Sequence, residues 1–143
     1  MAYREKLAWI ELIGMVLAYG PYFIAVGIVD PVGARDTTLT YVGLFAAATV
    51  VRLLILGGGW LTLRIRLGAE ARAQPDERER AIAGRSATIG YYVLLSLMLW
   101  AAVILPLLES GWKVANSGLA AIVIAEIVRH AVTVVGYRRS WHG

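Results

Sequence analysis

The stretch LTYVGLFAAATVVRLLILGGGWLTL, residues 39–63, carries one charged side chain, Arg52, among residues that are otherwise apolar, small or hydroxyl-bearing. A helix needs about 20 mostly apolar residues to cross about 30 Å of hydrocarbon. A solvent-facing helix of this length would show a charged stripe, and none is present. The segment therefore reads as a membrane span. Three more stretches qualify, near Leu7–Val29, Ile89–Leu108 and Val114–Tyr137. The chain of 143 residues is 59% hydrophobic and 17% charged, against about 45–50% and about 25% in an ordinary soluble domain. One integral membrane domain is expected over residues 1–143: an all-α, four-transmembrane-helix bundle, with residues 64–88 outside the membrane.

The first stretch follows Arg4 and Lys6, as a secretory signal would. It is longer than a signal's apolar core, no small-residue cleavage site follows it, and further spans come after it, so it is read as a retained helix. Basic residues then orient the bundle. Arg64, Arg66, Arg72, Arg78, Arg80 and Arg85 lie between the second and third spans, Arg4 and Lys6 at the N-terminus, Arg138 and Arg139 at the C-terminus. The other two connections hold only Arg35 and Lys113. Positive charge flanks spans on the cytoplasmic side, which predicts both termini inside. Trp9, Trp60, Trp112 and Trp141 fall near span ends, where indole rings favour the headgroup level. Trp100 falls mid-span and is expected to turn into the bundle, since its N–H needs a partner.

Between the second and third spans, RIRLGAEARA (64–73) contains no breaker except Gly68, so the second helix is expected to continue past the membrane until Pro75. Asp76 and Glu79 have the spacing of a capping box for a helix that runs into the third span. The result is a short cytoplasmic helical hairpin. Its alternating charges, as in DERER, suit a solvated face. They also suit a docking surface, for a protein partner or for anionic lipid, through Arg64, Arg66, Asp76, Glu77, Arg78 and Arg80. Nucleic acid is not an expected partner: no helix-turn-helix spacing occurs, and the interspersed acids would repel phosphate.

Charged residues inside a span normally face the bundle or a wet cavity. Arg52 and Glu126 lie near the midpoints of the second and fourth spans; Arg129 and His130 follow one turn later, and Glu11 sits one turn inside the first span. At about 1.5 Å per residue, depth alone allows Arg52 to pair with Glu126 and Glu11 with Arg129. Glu126 and His130 share a helical face with Ile122 and Thr133, Arg129 beside them. Such charges can lock helices in register. They can equally form a polar route in which Glu126 and His130 exchange a proton while Arg52 holds an anion.

Gly20-Pro21 near the middle of the first span removes the donor to the Leu17 carbonyl, so a kink is expected there, flanked by Tyr19 and Tyr22. Small residues four apart (Gly14/Ala18, Gly43/Ala47, Ser117/Ala121/Ala125) and Gly57-Gly58-Gly59 permit close helix contact within the monomer or in a homo-oligomer. The chain contains no cysteine, which excludes thiolate metal sites, disulfides and a Cys nucleophile. His130 and His142 are the only histidines, and no cluster at ligand spacing surrounds them, so no metal or cofactor is expected. Neither a nucleophile elbow nor a phosphate-binding loop occurs, which points away from an enzyme.

EKLAWIEL (5–12), AYGPYF (18–23), DERERAIAGRSATIGYYVL (76–94) and VVGYRRS (134–140) together resemble a family of small bacterial four-helix membrane proteins of unknown function. In that family a second aspartate stands where this chain has Glu79. The resemblance implies a bacterial inner membrane, and its members found beside small helix-turn-helix regulators suggest sensing. Two functions are consistent with these features. One is a carrier or channel with a polar route through Arg52, Glu126, Arg129 and His130; the other is a sensor or scaffold whose 64–88 segment binds a cytoplasmic protein. The orientation is open to direct test, because any introduced cysteine is the only one. A membrane-impermeant maleimide should label Lys113→Cys in intact cells and Arg78→Cys only in inverted vesicles. The reverse pattern would invert the topology.

Overall fold

Among the described residues four helices are long and apolar enough to cross a membrane, at Tyr3–Val26, Leu39–Arg66, Glu77–Leu108 and Trp112–Arg139. The computed structural model describes residues 3–28, 35–68, 73–109 and 111–139, and their side chains except at 27–28 and 35–38. Arg72, Ser110, Trp141, His142 and the Arg35 side chain lie outside the described residues. The elements are α1 (Tyr3–Ile28), α2 (Arg35–Arg66), α3 (Glu77–Leu99), a π-helical turn (Trp100–Ile104), α4 (Leu105–Leu108) and α5 (Trp112–Arg139).

At the junction of α2 and α3 the capping box is met, but α2 ends at Arg66, short of Pro75, and residues 73–76 are not helical. The α2 backbone continues past its apolar stretch, with the Leu67 N–H donating to the Leu63 carbonyl at 2.9 Å. Asp76 then caps α3. The Arg78 N–H donates to Asp76 Oδ1 at 2.8 Å and the Asp76 N–H to Glu79 Oε2 at 3.3 Å, a reciprocal box. Removing such a cap costs about 0.5–2 kcal/mol.

The helices run antiparallel in succession but do not close into a ring. α1 packs against α2 and α5, and α5 also packs against α3; no packed interface joins α2 to α3 among the described residues. The spatial order is therefore α2, α1, α5, α3. Burial follows it: 33% and 28% of the apolar windows of α1 and α5 are buried, against 11% for each of the flanking helices. Leu39, Leu54, Leu107 and Leu108 are each at least 70% exposed. That surface suits hydrocarbon, not water.

Small residues set the approaches. A Cβ on Gly59 would lie 2.7 Å from Ile10 Cγ2, and one on Gly90 would lie 3.0 Å from Arg129 Cβ and 3.5 Å from the Ala125 carbonyl. In lipid, where there is no hydrophobic force between helices, such contact is what dispersion needs. Gly14 and Ala18 are buried, and so are Ala121 and Ala125, so those ridges pack inside the monomer. Gly43 and Ala47 face outward. The core itself (Met15, Ala18, Tyr19, Tyr22, Val26, Tyr41, Ala48, Val123) draws on α1, α2 and α5 alone. α3 joins through its own small buried positions, Ser86 and Gly90.

Trp100, expected to turn inward, is 47% exposed. The next residue, Ala101, takes the buried position instead, and Pro106 reshapes the helix just beyond. It offers no N–H to the Ala102 carbonyl and its ring would strike that group in an α-helix. The chain relieves this with a wider turn, in which the Leu105 N–H donates to the Trp100 carbonyl. The extra residue in that turn shifts the helical phase of the residues that follow it. At the proline of the first span, α1 runs through Pro21 as one helix.

Gly90→Leu should lower the thermal stability in detergent by about 1–3 kcal/mol through overpacking. Gly84→Leu, at an exposed glycine with nothing within 4 Å, should not lower it. Equal loss in both variants would contradict close approach of α3 and α5 at Gly90.

Candidate functional site

α5 presents Glu126, Arg129 and His130 within one turn. Arg129 donates from Nη1 to both Glu126 carboxylate oxygens, at 3.4 and 3.3 Å. His130 is buried, with Nε2 2.7 Å from Glu11 Oε2 on α1 and 3.4 Å from Glu126 Oε2. Neither approach has the geometry of a linear ring N–H hydrogen bond. The imidazole thus stands between two carboxylates at ion-pair distance.

These are not the pairs that depth alone allowed. Arg129 takes Glu126 from its own helix, and Glu11 takes His130. The reason is azimuth. Successive residues on a helix diverge by about 100°, so His130 faces α1 while Arg129 faces α3, where Gly90 leaves room for its Cβ.

Arg52 reaches neither carboxylate. Its Nε is buried without a hydrogen-bond partner, and no carboxylate forms an ion pair with it among the described residues. It lines a cavity of about 340 Å³ with Met15, Tyr19 and Phe45, closed on the α5 side by Leu119, Ile122, Val123 and Glu126. A second cavity, of about 210 Å³, lies between α3 and α5 and reaches Arg129. Ile122 and Glu126 line both. Both hollows therefore meet on the α5 face that the gap between α2 and α3 leaves uncovered.

Polar contacts continue along the same seam towards the opposite end of the bundle. The hydroxyls of Tyr19 and Thr49 are 3.2 Å apart, and Tyr22 donates to Asn116 Oδ1 at 2.9 Å. Tyr41 stacks on Trp112 with ring centroids 5.5 Å apart. Sequence reasoning had flagged Tyr19 and Tyr22 only as flanking Gly20-Pro21, and it missed Thr49 and Asn116. A Thr and an Asn inside apolar spans were the available signal. Gly20 is half-buried and Pro21 exposed, while both tyrosines are buried in the core.

At the basic end, Arg64, Arg66, Asp76, Glu77, Arg78 and Arg80 are all exposed. The Arg64 guanidinium lies 4.8 Å from the centroid of the Trp60 ring. Arg4, not singled out as a site residue from sequence, ties α1 to this segment: its Nε is 3.1 Å from Glu79 Oε2. Among the described residues no group of three His, Asp or Glu side chains is placed to hold a metal.

Comparison with family models, with curated proteins and with solved structures finds no match. The functional reading therefore rests on this geometry.

A double-mutant cycle distinguishes the observed pairs from those that depth allowed. Glu11→Gln and His130→Gln should couple by about 0.5–1.7 kcal/mol, the range of polar contacts between membrane helices. Glu11→Gln and Arg129→Gln, linked only through Glu126 and His130, should couple more weakly than that. Coupling in the second cycle but not the first would restore the depth-based pairing.

Proposed function

We propose that this is a multi-pass protein of a bacterial inner membrane, with both termini in the cytoplasm, acting as a small proton-linked carrier. One observation carries the reading: the cavity among α1, α2 and α5 has Glu126 on one wall and the unpartnered Nε of Arg52 on another. If the ionisable groups served only to lock the helices, each would be satisfied by a neighbour, because an unmatched polar group in a low-dielectric interior costs about 1–3 kcal/mol. Glu11, Glu126, Arg129 and His130 each have an ion-pair neighbour, and Arg52 has none among the described residues. In this reading Arg52 receives a substrate anion, while Glu126, His130 and Glu11 pass a proton towards the cytoplasmic end.

The paired Tyr19–Thr49 and Tyr22–Asn116 contacts extend polar character beyond Arg52 towards the other face of the membrane. They supply hydroxyl and amide groups without charge, which suits a gate more than a binding site.

A second reading draws on the exposed charges of the 64–88 segment and on the Arg4–Glu79 ion pair that ties α1 to the first turn of α3. Here the protein is a membrane sensor or scaffold, and that segment binds a cytoplasmic protein. The pair is half-buried at the end of the bundle, where a bound partner would compete with it.

Liposomes with an entrapped pH dye separate the two. Under an imposed pH gradient, with weak organic anions supplied outside, the protein should speed proton uptake at least tenfold over empty liposomes. Glu126→Gln should abolish the increase, and Arg139→Gln should leave it intact. Uptake at the empty-liposome rate with folded protein would overturn the carrier reading.

A further inference from the structure

We infer that the cavity at Arg52 binds an amphipathic organic monoanion, one oxyanion on an apolar body, which enters sideways through the gap between α2 and α3. This rests on the carrier reading for its biological use, but the binding itself does not depend on transport.

Charge decides the sign of the ligand. Glu126 lines the cavity, yet its carboxylate is already held by Arg129 at 3.3 Å and approached by His130 at 3.4 Å. Arg52 is the charged group on that cavity wall without a matching neighbour among the described residues, and its Nε is shielded from solvent. A guanidinium offers parallel N–H donors that fit the two oxygens of a carboxylate or phosphate. A bound cation would add to the Arg52 charge; a bound oxyanion would neutralise it.

The remaining wall decides the body of the ligand. Met15, Phe45, Leu119, Ile122 and Val123 are apolar, and the Tyr19 hydroxyl is engaged by Thr49 at 3.2 Å. A ligand of oxyanion alone would leave that surface empty. About 340 Å³ holds a headgroup with a short chain or a ring, and falls at the lower end of small-molecule sites, about 300–1,000 Å³. A full diacyl lipid exceeds it.

The uncovered flank decides the route. Ile122 is 49% exposed and the Glu126 side chain 33% exposed, although both line the cavity. They face the side where α2 and α3 form no packed interface among the described residues. An amphipathic anion dissolved in the bilayer reaches Arg52 by that flank with its apolar part still in hydrocarbon.

The test uses purified full-length protein in maltoside micelles, with binding of radiolabelled octanoate measured by equilibrium dialysis. Competition by unlabelled octanamide, which keeps the body and loses the charge, and by acetate, which keeps the charge and loses the body, separates the two requirements. Octanoate should bind saturably, with octanamide and acetate each at least tenfold weaker. Arg52→Gln should weaken octanoate at least tenfold, Arg52→Lys less, and Arg139→Gln not at all. Equal binding of octanoate and octanamide, acetate binding as well as octanoate, or octanoate binding untouched by Arg52→Gln would each overturn the proposal. So would a cross-linked dimer that covers Ile122 and takes up no octanoate. Arg52-dependent binding without any flux in liposomes would uphold the site and remove the carrier reading alone.

Discussion

Carboxylates and guanidinium groups placed halfway along helices built from Leu, Ile, Val and Ala must find one another or find a polar ligand, since hydrocarbon offers neither charge nor hydrogen bonds. In this protein four of the five ionisable groups at that level satisfy the requirement by meeting at one point. His130 sits between Glu11 and Glu126, and Arg129 closes on Glu126. The contact between α1 and α5 is thereby set in register, and the rest of the bundle is arranged around it. Tyr22 and Asn116 repeat the α1–α5 link further along. Ile10 against Gly59 and Tyr19 against Thr49 add α2 on one side of α1. α3 is added on the far side of α5 by close packing at Gly90.

That order of assembly has a geometrical consequence. Because α1 and α5 both pack on two neighbours while α2 and α3 pack on one each, the bundle is a row with an open flank. Arg52 lies on the α2 side of that flank and Arg129 on the α3 side, with Glu126 and Ile122 between them. Polar chemistry and lateral access therefore coincide. A closed four-helix bundle built from the same residues would have buried Ile122 and shut both cavities.

What the chain reveals before folding depends on how local each cause is. The spans follow from composition, and the start of α3 from the chemistry of Asp76 and Glu79, so both were legible. Depth was legible too, because it needs only the rise per residue: Glu11, Arg52, Glu126, Arg129 and His130 do cluster at neighbouring levels. Azimuth was not. Whether His130 or Arg129 meets Glu11 turns on one residue, about 100° of rotation, and that is decided by which face of α5 the glycine of α3 accommodates. Trp100 shows the same limit, since it is the neighbouring Ala101 that turns inward. Thr49 and Asn116 acquire meaning only from the tyrosines opposite them.

The open flank is the central claim, and accessibility along α5 tests it most directly. A spin label at Ile122→Cys and another at Val123→Cys, in nanodiscs, report collision with oxygen, which favours lipid, and with a nickel chelate, which favours water. The account predicts that the label at 122 collides freely with oxygen while the label at 123, whose native side chain is 5% exposed, is protected from both. Equal protection at the two positions would mean that α2 and α3 close over the polar cluster, and the arrangement described above would be wrong.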